Sequence, residues 1–416
     1  MAQTRNRFPI FALLLANSIS LMGEALTAIA IPWFVYQTTG SAARMGIVGF
    51  CTFLPRVLAT FFGGTIVDRV GFKPISIAAD TLSGISVAMI PLLHHTTGLS
   101  FPMLLILVFC GAFFDGPGST ARESLVPDLA TVADIKLERI NALYQMVQRL
   151  ATFLGPALAG ILIALLGASN VLWIDAATFA VSVALIGVFV PRRRSDHPQP
   201  KLGGYWADLG ASLRFIRADA VLLWMAIFIA VSNFLEAPLS SVTMPVFVRE
   251  EYGGVERLGL MFSIFGAGAV LSTIVFASVG HRLPRFRTFA TAFTIVSFPY
   301  LALATGPTFP IALAVLFLMG CAAGPINPIL MTVRQERVPE AIRARVFGTF
   351  TSLAWITIPL GQLVGGFTVE AIGPRMTFAG VGVCFLLVTT AMQINPALRG
   401  MDRQPNERKI ASPSLS

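Results

Sequence analysis

Glu24, Arg56, Asp115, Arg149 and Glu236 are charged side chains standing inside otherwise apolar stretches of this sequence. Inserting one such group into a bilayer costs on the order of 3 kcal/mol unless it is paired or faces water, so each needs a reason to be there. A carboxylate at mid-membrane depth that can gain and lose a proton is what proton coupling requires, and Glu24, Asp115 and Glu236 are the candidates for a proton- or substrate-binding role. Arg56 and Arg149 are better suited to structural ion pairing, with Arg56 placed to neutralise Glu24. Asp80 and Asp175 fall near the expected ends of their apolar segments, where water would reach them and an architectural role is expected.

The surrounding elements follow from composition. Of the 416 residues, 55% are hydrophobic and only 12% charged, against about one quarter charged in soluble domains. That balance excludes a soluble globular protein and predicts an all-α membrane protein, since a lipid-exposed chain must satisfy its backbone hydrogen bonds within each helix. Apolar segments are expected at 8–37, 44–67, 75–93, 102–121, 142–166 and 170–190, then at 219–248, 257–280, 287–304, 309–332, 346–370 and 375–394. The domain reading is an N-terminal six-helix half over 1–190, a linker over 191–218, a C-terminal six-helix half over 219–394 and a disordered tail over 395–416. Within the linker, Trp206, Leu209, Leu213 and Ile216 recur at helical spacing and predict an amphipathic helix lying on the membrane surface.

The formal net charge of +9 invites a nucleic-acid reading until the basic residues are placed. Nearly all of them fall in the N-terminus, linker, tail and loops of one side, and the loops of the other side carry only Arg44, Arg249, Arg257 and Arg375. This asymmetry predicts cytoplasmic N- and C-termini in a multi-pass protein of the cytoplasmic (inner) cell membrane, with the lipid bilayer rather than nucleic acid as its partner. Cys51, Cys110, Cys321 and Cys384 all lie in apolar runs and read as packing residues, while the four histidines show no ligand spacing. Neither a metal nor a cofactor is expected, and without a phosphate-binding P-loop ATP is not the energy source.

The two halves repeat. Glu24 corresponds to Glu236, Pro32 to Val35 (PWFV) to Pro245 to Val248 (PVFV), Gly46 to Gly259, and Arg122 to Asp128 (RESLVPD) to Arg334 to Glu340 (RQERVPE), at a nearly constant offset. Parallel six-span repeats of this kind place a substrate site near the bilayer midplane and move by alternating access.

A short polar elbow, Gly63 to Pro74, interrupts the apolar chain. Its spacing G-x-x-x-D-R-x-G-x-K, on Gly64, Asp68, Arg69, Gly71 and Lys73, resembles the loop between helices two and three of the major facilitator superfamily, with Phe72 where the signature carries a first basic residue. The stretch from Ala151 to Gly160, with Gly155, Pro156 and Gly160, is similar to the packing motif of the antiporter branch, Ala151 and Ala159 replacing two of its glycines. At finer grain VDRVGFKP, TARESLVP, LERINA and RVFGTFTSLA resemble Tap-type multidrug efflux pumps, a branch with macrolide-efflux and enterobactin-export relatives.

The resemblance implies the major facilitator fold, twelve transmembrane helices in two pseudo-symmetric six-helix halves. It implies a monomeric, proton-coupled secondary transporter, not an enzyme, that exports small molecules such as tetracyclines, aminoglycosides or macrolides. An exporter of one endogenous metabolite such as a siderophore is the alternative within transport, and an integral membrane enzyme such as a prenyl transferase the alternative outside it. The elbow is then a gate, with Arg122, Glu123 and Asp128 in the loop after span four as a cytoplasmic latch answering it. Trp33, Phe34, Phe228 and Phe234, close to the two glutamates in sequence, are the pocket candidates.

Overall fold

The computed structural model describes residues 7–191 and 205–402, without the side chains of 59–70, 205–208, 281, 341 and 344; the arginine run of the linker and the tail lie outside them. The described residues are helical, with short turns between helices, and contain no strand. Large apolar side chains such as Leu165, Val188, Leu387 and Ile394 are two-thirds or more exposed, which in a chain this apolar marks a lipid-facing surface.

In chain order the first helices are α1 (Phe8–Thr39), α2 (Ala42–Val70), α3 (Phe72–His95), α4 (Phe101–Ala133), α5 (Leu137–Leu166) and α6 (Ala168–Phe189). Then come α7 (Tyr205–Ala218), α8 (Ala220–Pro238), α9 (Met244–Glu251), α10 (Val255–Val279), α11 (Arg285–Ala304), α12 (Phe309–Ala323), α13 (Ile326–Arg337), α14 (Arg343–Trp355) and α15 (Ile358–Ile394). Grouped by membrane crossing they make twelve spans. The first six helices cross singly, α8 continues into α9, α12 into α13 and α14 into α15, and α15 is two spans joined at Gly373, whose φ of 78° is outside the helical range. Glycine tolerates that left-handed backbone and Pro374 then restarts the helix, so the break is encoded locally.

Two compact units emerge. The first holds the chain up to Pro200 together with Met244–Ser263. Here α1 lies against α6, α5, α4 and α2, while α3 packs on α4 and α6, so α1 and α4 are central. Where α1 begins, Ile10, Leu13 and Leu14 close on Leu125, Val126 and Leu129 of α4, Ile140 and Tyr144 of α5 and Ile186 of α6. Gly160 faces Gly259 in the same unit, and Gly155 lies on Ala25.

The second unit holds Lys201–Thr243 and Ile264–Ser416. In it α11 and α8 pack on α15, and α7 packs on α14 and α8 with Ile216 fully buried. Spans are interrupted here where their repeat mates α1, α4 and α5 run continuously. A π-turn, Leu239–Thr243, follows α8, and short breaks separate α12 from α13 and α14 from α15. Breaks free backbone carbonyls, which side chains from neighbouring helices answer: Gln362 donates to Ala237 O (2.9 Å) and Asn233 to Ala354 O (2.7 Å).

The sequence expectation differs at one place that matters. The polar stretch after Thr120, read as a loop, is the continuation of α4, which runs unbroken through Pro117 and Pro127 to Ala133. Hydrophobic Leu125, Val126, Leu129 and Ala130 bury one side of that extension, and tertiary packing on α1 keeps it helical.

The helix contacts give a direct test. A Cβ on Gly361 would lie 2.2 Å from the Phe234 carbonyl oxygen, a rigid backbone neighbour, whereas one on Gly348 meets nothing within 4 Å. Gly361→Val should destabilise the detergent-solubilised protein by about 1–3 kcal/mol, seen as a lower unfolding midpoint, and Gly348→Ala should leave the midpoint in place.

Candidate functional site

The interior of the first unit contains a cluster of ionisable side chains carried by α1, α2, α3 and α4. Glu24 comes from the middle of α1, Arg56 from α2, Asp80 from α3, and Asp115 and Arg122 from α4, seven residues and so two turns apart. The two arginines divide the acids between them. Arg56 Nη2 donates to Asp115 Oδ2 at 3.1 Å and stands 3.9 Å from Glu24 Oε2. Arg122 donates through Nη1 to Asp80 and brings Nη2 to 4.0 Å from Glu24 Oε1. Glu24 therefore sits between two guanidinium groups at ion-pair distance without a full hydrogen bond to either.

The two ends of the cluster differ in access. Arg122 and Asp80 are sealed, at 0% and 1% side-chain exposure, whereas Glu24 and Arg56 retain 22% and 38%. At the sealed end Arg122 Nε donates to Asn17 Oδ1 (3.3 Å), Tyr144 Oη donates to the same oxygen (3.3 Å), and Ser182 Oγ donates to Asp80 Oδ2 (2.6 Å). Gly118 makes this approach of α4 to α3 feasible, because a Cβ there would stand 2.9 Å from the Ala79 Cβ and 3.4 Å from Asp80 Oδ1. Arg122 Nη2 is left without a hydrogen bond, but Nη1, Nε and both Asp80 oxygens are engaged, and losing one partner of such a buried pair leaves an uncompensated charge.

A fourth acid lies nearby. Asp175 on α6 is 1% exposed and accepts from Thr27 Oγ1 at 2.5 Å and from Thr178 Oγ1 at 3.2 Å. Among the described residues it has hydroxyl partners and no arginine within ion-pair distance. Gly23 permits the contact, since a Cβ there would lie 2.2 Å from Asp175 Oδ1. Glu24, Asp80, Asp115 and Asp175 thus outnumber Arg56 and Arg122 four to two.

In the second unit Glu236 lies near the C-terminal end of α8, partly buried, with the Tyr300 hydroxyl of α11 as its hydrogen-bond partner. It has no arginine within ion-pair distance among the described residues. The π-turn begins three residues later, and Ser241 there donates to Gln362 Oε1 at 2.5 Å. The two glutamates share a repeat position but not an environment.

Other sequence candidates lie elsewhere. Trp33 is buried under the Arg249 guanidinium (5.7 Å), Phe34 is edge-on to His94 (4.9 Å) and Phe228 lies against Trp224 (5.9 Å). Phe234, half-buried, faces Gly361 through its carbonyl. Arg149 is on the exposed side of α5 and makes no ion pair among the described residues. Of the elbow, the side chains of Gly64, Asp68 and Arg69 lie outside the described residues. Gly71 turns the chain with φ 98°, and Lys73 donates to Gly187 O (2.8 Å) and Val190 O (2.5 Å), satisfying carbonyls at the end of α6. Glu123 is exposed and Asp128 half-buried, but Arg122, expected beside them in a loop, points into the unit. Asp80 and Asp175, expected at wetted ends, are instead eight and seven residues inside their helices and covered by neighbours.

Comparisons with known proteins show the family and the fold. A family model described as "Transmembrane secretion effector" matches residues 4–415. The multidrug efflux pump Tap of Mycobacterium tuberculosis is 32% identical over 407 residues, 96% of each chain. The chain belongs to the major facilitator superfamily. Tap of Mycolicibacterium fortuitum is likewise 32% identical, over 95% of this chain and 98% of its own. Among solved structures, the nucleoside transporter NupG superposes with a TM-score of 0.76 at 15% identity over 93% of this chain and 99% of its own, showing the shared fold. As a multi-pass transporter of this superfamily, the protein handles small molecules at a membrane.

The sequence reading missed Asn17, Ser20 and Thr27. With Glu24 they recur along α1 at intervals of three, four and three, which puts four polar side chains on one face of a stretch whose only other polar side chain is Ser18. That periodicity was the available signal.

Removing the acid of the sealed pair should expose its weight. Asp80→Ala strands Arg122 and should lower stability by roughly 3–5 kcal/mol in chemical unfolding of the solubilised protein. Adding Arg122→Met should recover a large part of that loss, because the pair together is close to neutral relative to apolar packing.

Proposed function

We propose that this transporter is a proton-coupled exporter of drugs, including cationic and protonatable compounds of the tetracycline, aminoglycoside and macrolide kind. The observation that carries the reading is the charge balance of the buried cluster, four carboxylates against two guanidinium groups. Two uncompensated negative charges in a low-dielectric interior are neutralised by protons or by a cationic substrate, and one excludes the other. Such competition is antiport.

Glu24 is the centre of the exchange, because it is the acid with two arginines near it, no hydrogen bond to either, and residual access. Asp115 holds Arg56 in place and shares the exchange, and Glu236 is a corresponding site in the second unit. The names of the relatives support drug export: two are multidrug efflux pumps, and a macrolide efflux protein of Streptococcus pyogenes is 18% identical over 93% of this chain. On this reading the chain moves its substrate unchanged, works as a monomer in the cytoplasmic membrane with both termini inside, and uses the elbow and the outer surface of α4 as gate and latch. Its domains are the two six-helix halves, 1–190 and 219–394, joined by the linker.

The test is substrate-induced proton release from energised everted vesicles, with a panel of tetracyclines, aminoglycosides, macrolides and siderophores. Wild-type protein should respond to several unrelated drugs, and Glu24→Gln should reduce the response at least tenfold. A response to siderophores alone would replace drug export with dedicated metabolite export. Unaltered drug responses in Glu24→Gln would remove Glu24 from the coupling role.

A further inference from the structure

Asp175 counts in the charge balance above without a role of its own assigned to it, and it packs against the face of α1 that carries Glu24. Its two hydroxyl partners are chemically distinctive. A carboxylate held by arginine is fixed as an anion, whereas a hydroxyl both donates and accepts, so Thr27 and Thr178 can hold Asp175 with or without a proton by rotating. When Asp175 is ionised it accepts from Thr27, while Thr178 shares its one proton between the Asp175 backbone carbonyl (2.7 Å) and the carboxylate (3.2 Å). When it carries a proton, the carboxyl donates to Thr27 Oγ1, and that hydroxyl turns to its own helix backbone as a serine or threonine normally can.

Its placement is equally specific. Thr27 is one turn from Glu24, and the stripe continues through Ser20 to Asn17, a distance of about 15 Å along the helix axis. Ser20 Oγ, wholly buried, and Asn17 Nδ2 lack hydrogen-bond partners among the described residues, which leaves polar atoms on the stripe free to take up a bond when the proton distribution changes. The charged groups that face Asp175 are Glu24 on α1, Arg56 on α2 and Asp115 on α4. Of these, the arginine is bonded to Asp115, so no cation is committed to Asp175.

We infer that Asp175 is a second proton-carrying carboxyl of this transporter, exchanging a proton with Glu24 across Thr27. In the step, the Asp175 carboxyl loses a proton and becomes a carboxylate, and the Glu24 carboxylate gains it; the Thr27 hydroxyl gives up one proton and takes another, and no other bond changes. Asp175 is a positioning and relay residue here and need not touch the exported molecule. The inference rests on the proton-coupled reading above for its role in transport, but the presence of the proton on Asp175 does not.

The test reads protons directly. The full-length protein in lipid is titrated with acid and base and followed by infrared difference spectroscopy in the protonated-carboxyl region, with Asp175→Asn, Thr27→Val and Glu24→Gln compared. Asp175→Asn should remove one titrating carboxyl band and displace the midpoint of the band that Glu24→Gln removes. Thr27→Val, which keeps the acid and deletes one hydroxyl, should shift both the frequency and the midpoint of the Asp175 band, a change that a merely structural residue would not give. It also serves if Asp175→Asn fails to fold. A titration of Asp175→Asn superimposable on that of wild type, or of Thr27→Val where the first variant does not fold, overturns the inference. Drug transport that ignores a proton gradient while the Asp175 band titrates would instead overturn the coupling reading and leave the proton site standing.

Discussion

Arg122 is the side chain on which the first unit is built. It is the largest of the fully buried side chains, carries a charge, and lies inside a bundle that faces lipid. A guanidinium there is tolerated only with its charge opposed, and the fold supplies Asp80 and the nearby Glu24 for the charge and Asn17 for Nε, leaving Nη2 without a hydrogen bond. Meeting those demands brings α1, α3 and α4 together at one depth. Tyr144 and Ser182 extend the arrangement to α5 and α6, so five of the six helices are registered by one polar network. Apolar packing alone gives less selectivity in a bilayer, where lipid tails are as apolar as leucine.

The network also explains why its two ends behave differently. Sealed bonds at Arg122 and Asp80 fix the helices, and the looser contacts around Glu24 leave a carboxylate whose partners stand at 3.9 and 4.0 Å. Sealed and partly exposed charges share the same helices but not the same access. Small residues are what allow this spacing: Gly118 admits α4 to α3, and Gly23 admits α6 to α1. Polar bonds between helices in a membrane are short-range, and a methyl group at either glycine would hold the partners apart.

The second unit solves a different problem with the same repeat. Its spans are broken where those of the first are continuous, and the exposed carbonyls are answered by Gln362 and Asn233. Glu236, repeat-related to Glu24, has a tyrosine rather than two arginines for company. A shared ancestry in sequence therefore survives in helix order and not in electrostatics. The position of Arg334, the counterpart of Arg122, shows the same divergence: it lies over the rings of Phe347 and Phe350, at 5.1 and 4.9 Å, instead of on an acid.

The sequence by itself determined the membrane class, the twelve spans, the family elbow and the charged residues that lie within apolar helices. Each of these is a property of local composition or spacing, because a helix in lipid satisfies its own backbone and its length is set by the bilayer. It also held the polar stripe from Asn17 to Thr27, legible from helical periodicity. Only the tertiary structure decided who pairs with whom. Arg56, expected on Glu24, bonds more closely to Asp115, and Arg122 turns from an apparent loop into the sealed centre because α4 runs on past Thr120. Asp80 and Asp175 became interior groups because neighbouring helices cover them. Whether a side chain two turns from a helix end meets water or another helix depends on neighbours distant in the chain, and Coulomb energy depends on distances that no linear spacing contains.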